Sequence, residues 1–219
     1  MKRRFEMSRY TATALVLALA LNCSVYYGAR LINAGRFHHD LTLPADALIP
    51  FLPWTLCVYV CAFFFWAVNY YIASRQDRSE SDRFFCTDVL GKLICLLLFI
   101  LLPTVMTRPD LTADNVWNRL LSIIYQMDEP NNLFPSIHCF ASWLCWIGVR
   151  KRDDIPLAYR WFSLLMAAAI CVSTVTVRQH LLADVISGVL LAELCYLLAG
   201  YDCLRRRYSR LINTVARLI

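Results

Sequence analysis

Charge is scarce in this chain. Asp, Glu, Lys and Arg make up 17% of its 219 residues, against 59% hydrophobic. A soluble domain so apolar would expose large sticky patches, so the composition excludes an ordinary water-soluble globule and points to lipid as the solvent. No internal repeat and no low-complexity stretch breaks the chain. Ten cysteines are present but no Cys-x-x-Cys pair, which argues against a disulfide or metal framework. Cys57, Cys61, Cys95, Cys145, Cys171 and Cys195 lie inside apolar runs, where a thiol behaves as a small buried hydrophobe. Cys139, beside His138, is the one thiol placed for oxidation or covalent inhibition.

The apolar runs cover residues 11–27, 54–74, 89–106, 134–149, 161–177 and 181–198. Each approaches the roughly 17–25 residues needed to cross a hydrocarbon core, the fourth and fifth being short. In lipid every backbone amide needs an internal partner, so these runs are read as helices. The expected architecture is all-α: six transmembrane helices in one bundle, a single integral membrane domain over residues 1–219, with interfacial helices on the external side. A signal peptide is the other reading of the first run, because Lys2-Arg3-Arg4 precede it. The run is longer than a usual signal core and no small-x-small cleavage site follows, so it reads as a retained helix.

Basic residues segregate. Seventeen of the 22 fall on one predicted side, including Arg9, Arg75, Arg78, Arg83, Arg150, Lys151, Arg152, Arg160 and the five arginines after position 204, with Lys92 counted there by snorkelling. The other side holds Arg30, Arg36, Arg108, Arg119 and Arg178. That asymmetry puts both termini in the cytoplasm of a multi-pass cell-membrane protein. The net charge of +6 is then a topology signal, and nothing else supports a nucleic-acid partner. Externally, residues 28–53 are expected to lie along the membrane surface, with His38-His39-Asp40 in a solvated loop. Residues 108–133 carry Val116, Leu120, Leu121, Ile124 and Tyr125 at helical spacing, which predicts an amphipathic helix near the rim of a site. The internal loops, 75–83 and 150–160, read as solvated charge runs.

Chemistry concentrates in three external boundary motifs. His180 and Asp184 are four residues apart, so on a helix their Cβ atoms are roughly 6 Å apart on one face. The carboxylate can fix the imidazole tautomer and leave the other nitrogen as a lone-pair donor. An ionisable pair at the edge of a membrane helix is costly and by default functional. Pro135-Ser136-Ile137-His138 opens a helix, where free N–H groups and the dipole attract anions and Ser136 can cap or donate. His138, one turn in, is placed to give a proton to a leaving alkoxide. Arg108-Pro109 follows the third run. Arg108 can fork onto phosphate oxygens or reach toward headgroups, and Arg178 is a further candidate clamp.

These residues resemble the phosphatidic acid phosphatase type 2 superfamily, which includes lipid phosphate phosphatases and vanadium haloperoxidases. The resemblance covers residues 101–192. Of a pattern of Lys, six residues, then Arg-Pro, Arg108 and Pro109 match while Leu101 stands at the lysine. Of Pro-Ser-Gly-His, Pro135, Ser136 and His138 match, with Ile137 for glycine. Of Ser-Arg, five residues, His, three residues, Asp, the matches are Ser173, His180 and Asp184, with Thr174 for arginine. The stretch from Tyr125 through Asp128, Pro130, Asn132 and Phe134 to His138 looks like the branch containing inositol phosphorylceramide synthases.

The resemblance implies a metal-free, cofactor-free mechanism. His180 would be the nucleophile, Asp184 its orienter and His138 the general acid, with Arg108 and Ser136 on phosphate oxygens. The leading expectation is an integral membrane lipid-phosphate phosphatase that works at the extracytoplasmic face through a phosphohistidine. The alternative is a lipid phosphotransferase that moves a phospho-headgroup to an alcohol acceptor. A lower alternative is a non-catalytic membrane scaffold, supported only by the missing cations at Leu101 and Thr174. The expected partners are a lipid phosphate substrate and membrane lipids.

Overall fold

A computed structural model describes residues 9–112 and 115–218. Lys2, Arg3 and Arg4 of the predicted charge asymmetry lie outside the described residues. The chain runs through helix α1 (Arg9–Asn33), a two-residue strand β1 (His39–Asp40), short helical turns at Pro44–Leu48 and Pro53–Thr55, then α2 (Leu56–Ser74) and α3 (Arg78–Leu101). Strand β2 (Thr104–Val105), α4 (Val116–Met127), α5 (Ile137–Val149), α6 (Leu157–Thr176), α7 (Leu182–Leu198) and α8 (Asp202–Leu218) follow.

Among the described residues, four helices are long and apolar enough to cross a membrane: α1, the stretch Pro53–Ser74, α3 and α6. The pair α7 and α8, bent by 92°, makes a fifth candidate. The outward surface fits a lipid solvent. Ile186, Leu190, Leu194 and Leu197 form an exposed stripe along α7, and Trp161, Phe162, Leu165 and Val172 do the same on α6. Apolar surface of that extent facing water would drive aggregation.

Helix α5 is different. At 13 residues it is about 20 Å long, and eight of its side chains are buried: Cys139, Phe140, Ala141, Ser142, Leu144, Cys145, Ile147 and Val149. It packs against α2, α6 and α7 as the centre of the bundle. Contact with α7 is close because Gly188 faces the start of α5. A Cβ there would stand 2.6 Å from the Ser136 carbonyl oxygen and 3.2 Å from the Cys139 Cβ.

The polar ends fold more than their composition suggests. Asp77 caps α3 by accepting from the N–H groups of Ser79 and Glu80, and Arg78 pairs with Asp82. Residues 78–83 are therefore helix rather than the expected solvated loop. Likewise α1 continues to Asn33 through the segment expected to lie along the surface. Its last turn is held because Asn33 Nδ2 donates to the Phe99 carbonyl and to Asn132 Oδ1. His39 and Asp40 are exposed, as expected of a loop, but pair in parallel with Thr104 and Val105. The amphipathic helix expected after Arg108 is present as α4, with Leu121 buried and Val116, Ile123 and Met127 exposed.

Lys92 does not snorkel. Its ammonium is 3% exposed and donates to Asp88 Oδ2 at 2.8 Å and to the Ala18 carbonyl at 3.0 Å. Asp88 is fully buried and also accepts from the Tyr70 hydroxyl. A cation fourteen residues into α3 is too deep for its stem to reach water, and the carboxylate one turn earlier gives it a nearer partner. The pair ties α1, α2 and α3 together.

Three outcomes follow for purified protein in detergent. Gly188→Ala lowers stability by about 1–3 kcal/mol through overpacking, read as a lower thermal midpoint. Gly28→Ala, with nothing within 4 Å of its added Cβ, leaves the midpoint unchanged or raises it. Asp88→Ala strands a buried ammonium and costs about 3–5 kcal/mol, and adding Lys92→Met recovers most of that loss.

Candidate functional site

At one end of the bundle the segments between helices interlock. Asn132 N–H donates to the Thr104 carbonyl, and Leu52 N–H to the Thr176 carbonyl. The Thr104 hydroxyl accepts from the N–H groups of Leu133 and Phe134. Helix α6 ends at Thr176, and Arg178 reverses the chain at φ +54°. The Thr174 carbonyl then accepts from both Gln179 N–H (2.9 Å) and His180 N–H (3.1 Å). This turn fixes where His180 stands. Asp46 secures the start of α7 from outside, accepting from Leu182 N–H at 2.8 Å.

His138 and His180 come together. Their ring centroids are 5.9 Å apart, and both line one cavity of about 70 Å³. The other walls include Asn22 and Tyr26 from α1, Phe63 and Trp66 from α2, Phe99 from α3, and Asp128, Asn132 and Gln179 from the links. His138 stacks on Tyr59 at 4.7 Å and tilts against Trp66 at 5.2 Å. Its Nε2 is buried without a partner. Ser136 caps α5, its hydroxyl accepting from Cys139 N–H at 3.2 Å. Asp184 lies behind His180: Oδ2 is 3.4 Å from His180 Nδ1 and accepts from Leu181 N–H at 2.8 Å. Burial alone would pull the His180 imidazolium below the usual histidine range, but the hydrogen bond and charge of Asp184 outweigh it and the ring titrates higher.

Arg108 reaches this group through a neighbour. Its guanidinium donates to Gln179 Oε1 and to the carbonyls of Asp128 and Tyr125, and lies over the Tyr125 ring at 4.3 Å. Burial pushes that guanidinium below its ordinary range, with Asp128 pulling the other way. Arg178 is not part of the cavity wall: its two terminal nitrogens donate to the carbonyls of Asp46 and Ile49, so the side chain buttresses the turn at Pro44–Leu48. Of the two non-matching family positions, Leu101 is 67% exposed at the end of α3. Thr174 is buried, its hydroxyl donating to the Cys171 carbonyl. Cys139 is fully buried, its Sγ 3.7 Å from Thr174 Oγ1.

Sequence reasoning did not single out Gln179, Asn132, Asp46 or Tyr59 as site residues. Gln179 adjoins His180, and Asn132 lies in the stretch that looks like the synthase branch, so position offered a signal for those two. Nothing local marks Asp46 or Tyr59, which arrive from distant parts of the chain. A larger basin of about 580 Å³ opens at the opposite end, lined by Arg75, Arg83, Lys151 and Arg152 but also by Asp77, Glu80, Asp153 and Asp154. Its opposed charges cancel and it holds no histidine.

No solved structure matches the chain. It is 27% identical over 129 residues to an uncharacterized protein of Methanocaldococcus jannaschii, an alignment covering 59% of this chain and 52% of that relative. The chain thus spans about half the length of the curated relative it matches. The sequence profile of the PAP2 superfamily matches residues 49–198, which contain both histidines, Asp184, Ser136 and Arg108. On that match the chain belongs to the PAP2 superfamily.

Proposed function

We propose that this protein cleaves a phosphoester of a membrane lipid through a covalent phosphohistidine at His180. One observation carries the reading: two imidazoles at 5.9 Å across one small cavity, the second backed by a buried carboxylate. With Nδ1 turned to Asp184, His180 keeps its Nε2 lone pair for phosphorus. As the N–P bond forms, the bond from phosphorus to the leaving oxygen breaks. His138 Nε2 gives that oxygen a proton. A water or hydroxyl then attacks phosphorus, returns its proton to His138, and the N–P bond breaks. Arg108 acts through Gln179, and Ser136 acts by fixing the start of α5.

Phosphatase chemistry with water as acceptor is the leading form. Transfer to a lipid or polyol hydroxyl is the second, and the aromatic lining favours it: Tyr59, Phe63 and Trp66 surround His138 and leave little room for bulk water. Phe63 is 56% exposed on the outer face of α2 while also lining the cavity, so the chamber adjoins the lipid-facing surface. In this reading α5 is the sixth span. Buried among its neighbours, it need not match the hydrocarbon thickness that lipid-facing helices meet. The excess of basic residues at the end opposite the histidines supports reading the site as extracytoplasmic in a cell membrane.

A labelled lipid phosphate given to the purified protein releases free phosphate or, in the transfer form, passes the labelled group to an added alcohol as a new phosphoester. The label is trapped on protein as an acid-labile, base-stable adduct, and His180→Ala abolishes both, lowering turnover by about 10³-fold or more. Unchanged turnover in that variant refutes the reading. Asp184→Asn removes the charge that raises His180. The nucleophile must be neutral, so the ascending limb of the kcat/KM profile moves to lower pH as the maximum falls.

A further inference from the structure

Among the described residues, three of the six buried side-chain nitrogens without a partner belong to residues lining this cavity: Asn132 Nδ2, His138 Nε2 and Gln179 Nε2. Gln179 is 1% exposed and Asn132 4%. A buried amide nitrogen left unpaired is costly, and a native fold that keeps two of them facing one small cavity invites a ligand that accepts hydrogen bonds.

The amides cannot turn round. Arginine donates and never accepts, so the Arg108 bond to Gln179 Oε1 fixes the oxygen end toward the guanidinium and the NH₂ end toward the cavity. A longer relay sets Asn132. Arg36 donates to Asn33 Oδ1 at 2.8 Å, which commits Asn33 Nδ2 to the Phe99 carbonyl and to Asn132 Oδ1 at 2.7 Å. Asn132 therefore presents its NH₂ inward. Two arginines outside the cavity wall thus orient and polarise two neutral amides, whose residues line the same cavity as the histidines.

We infer that Gln179 Nε2 and Asn132 Nδ2 are the donors that bind the phosphoryl oxygens. The inference rests on the phosphoester reading and adds two substrate-contacting residues to it. Leu101 and Thr174 supply no charge at the positions where the family pattern has cations. Polarised amides at Gln179 and Asn132 supply hydrogen-bond donors at the cavity wall instead. Donors held at fixed positions also need no reorganisation as charge builds on the transferring group.

Gln179→Glu separates donation to substrate from support of Arg108, because the new side chain still accepts from the guanidinium but lacks the NH₂. Full-length protein in detergent is compared with wild type for binding of inorganic orthophosphate, read by ³¹P line broadening, and for turnover of a dispersed lipid phosphate. At neutral pH turnover falls about 100-fold or more, the effect of deleting one preorganised oxyanion donor, and phosphate binding weakens with it. Phosphate binding recovers as the pH is lowered and the introduced carboxylate takes up a proton, while turnover stays low because His180 is protonated there. Asn132→Asp, which still accepts from Asn33, behaves alike, and thermal midpoints verify that each variant is folded. Wild-type phosphate binding in both variants, or no phosphate binding by the wild type, overturns the inference. Turnover that survives His180→Ala but falls in Gln179→Glu overturns the phosphohistidine and leaves the amide site standing.

Discussion

One backbone hydrogen bond holds the site together. The N–H of Ser136, at the start of α5, donates to the carbonyl of Asp184, in the first turn of α7, at 3.1 Å. Ser136 is two residues before His138, and Asp184 four after His180. The bond therefore sets the separation of the two imidazoles more directly than any contact between the rings. Gly188 makes it attainable, since no side chain stands between the two helices at that level. In a lipid-surrounded bundle an unpaired amide has no water to turn to, so the bond is costly to break as well as geometrically decisive.

Around that junction the protein fixes polar groups by satisfying them from a distance. Asp46 holds the N–H groups of Leu43 and Leu182, Tyr125 donates to the Val177 carbonyl, and Arg178 spans to the turn at Pro44–Leu48. None of these touches the cavity wall through a charged end. Together they immobilise the link between α6 and α7, which is only five residues long and carries Gln179 and His180. The rigid part of the molecule is thus the part that chemistry would require to be rigid.

Much of this was legible in the sequence, for definite reasons. Long apolar runs report helices because lipid leaves the backbone no other option, and His-x-x-x-Asp and Pro-Ser-x-His report local geometry that a helix start imposes. Less legible was whatever depends on distant partners. Asn33 continues α1 only because Phe99 and Asn132 wait for it, and Arg178 looked like a clamp because its spacing from His180 does not reveal that the chain reverses there. Lys92 was assigned to a surface because its acidic partner, Asp88, sits in the same helix at a depth that composition does not register. Helix α8 was missed because its pattern is amphipathic and lies beyond the last apolar run. Its Tyr208 and Ile212 are buried against the bundle, while Arg206 and Arg210 are exposed.

The chamber's size divides the labour of recognition. On the proposed chemistry, a cavity of about 70 Å³ takes the phosphoryl group while the rest of a lipid extends beyond it. Under that chemistry, one amphiphile would be told from another by side chains at the mouth rather than inside the chamber. Relatives that keep the interior and vary the rim would then change clientele without altering the chemistry.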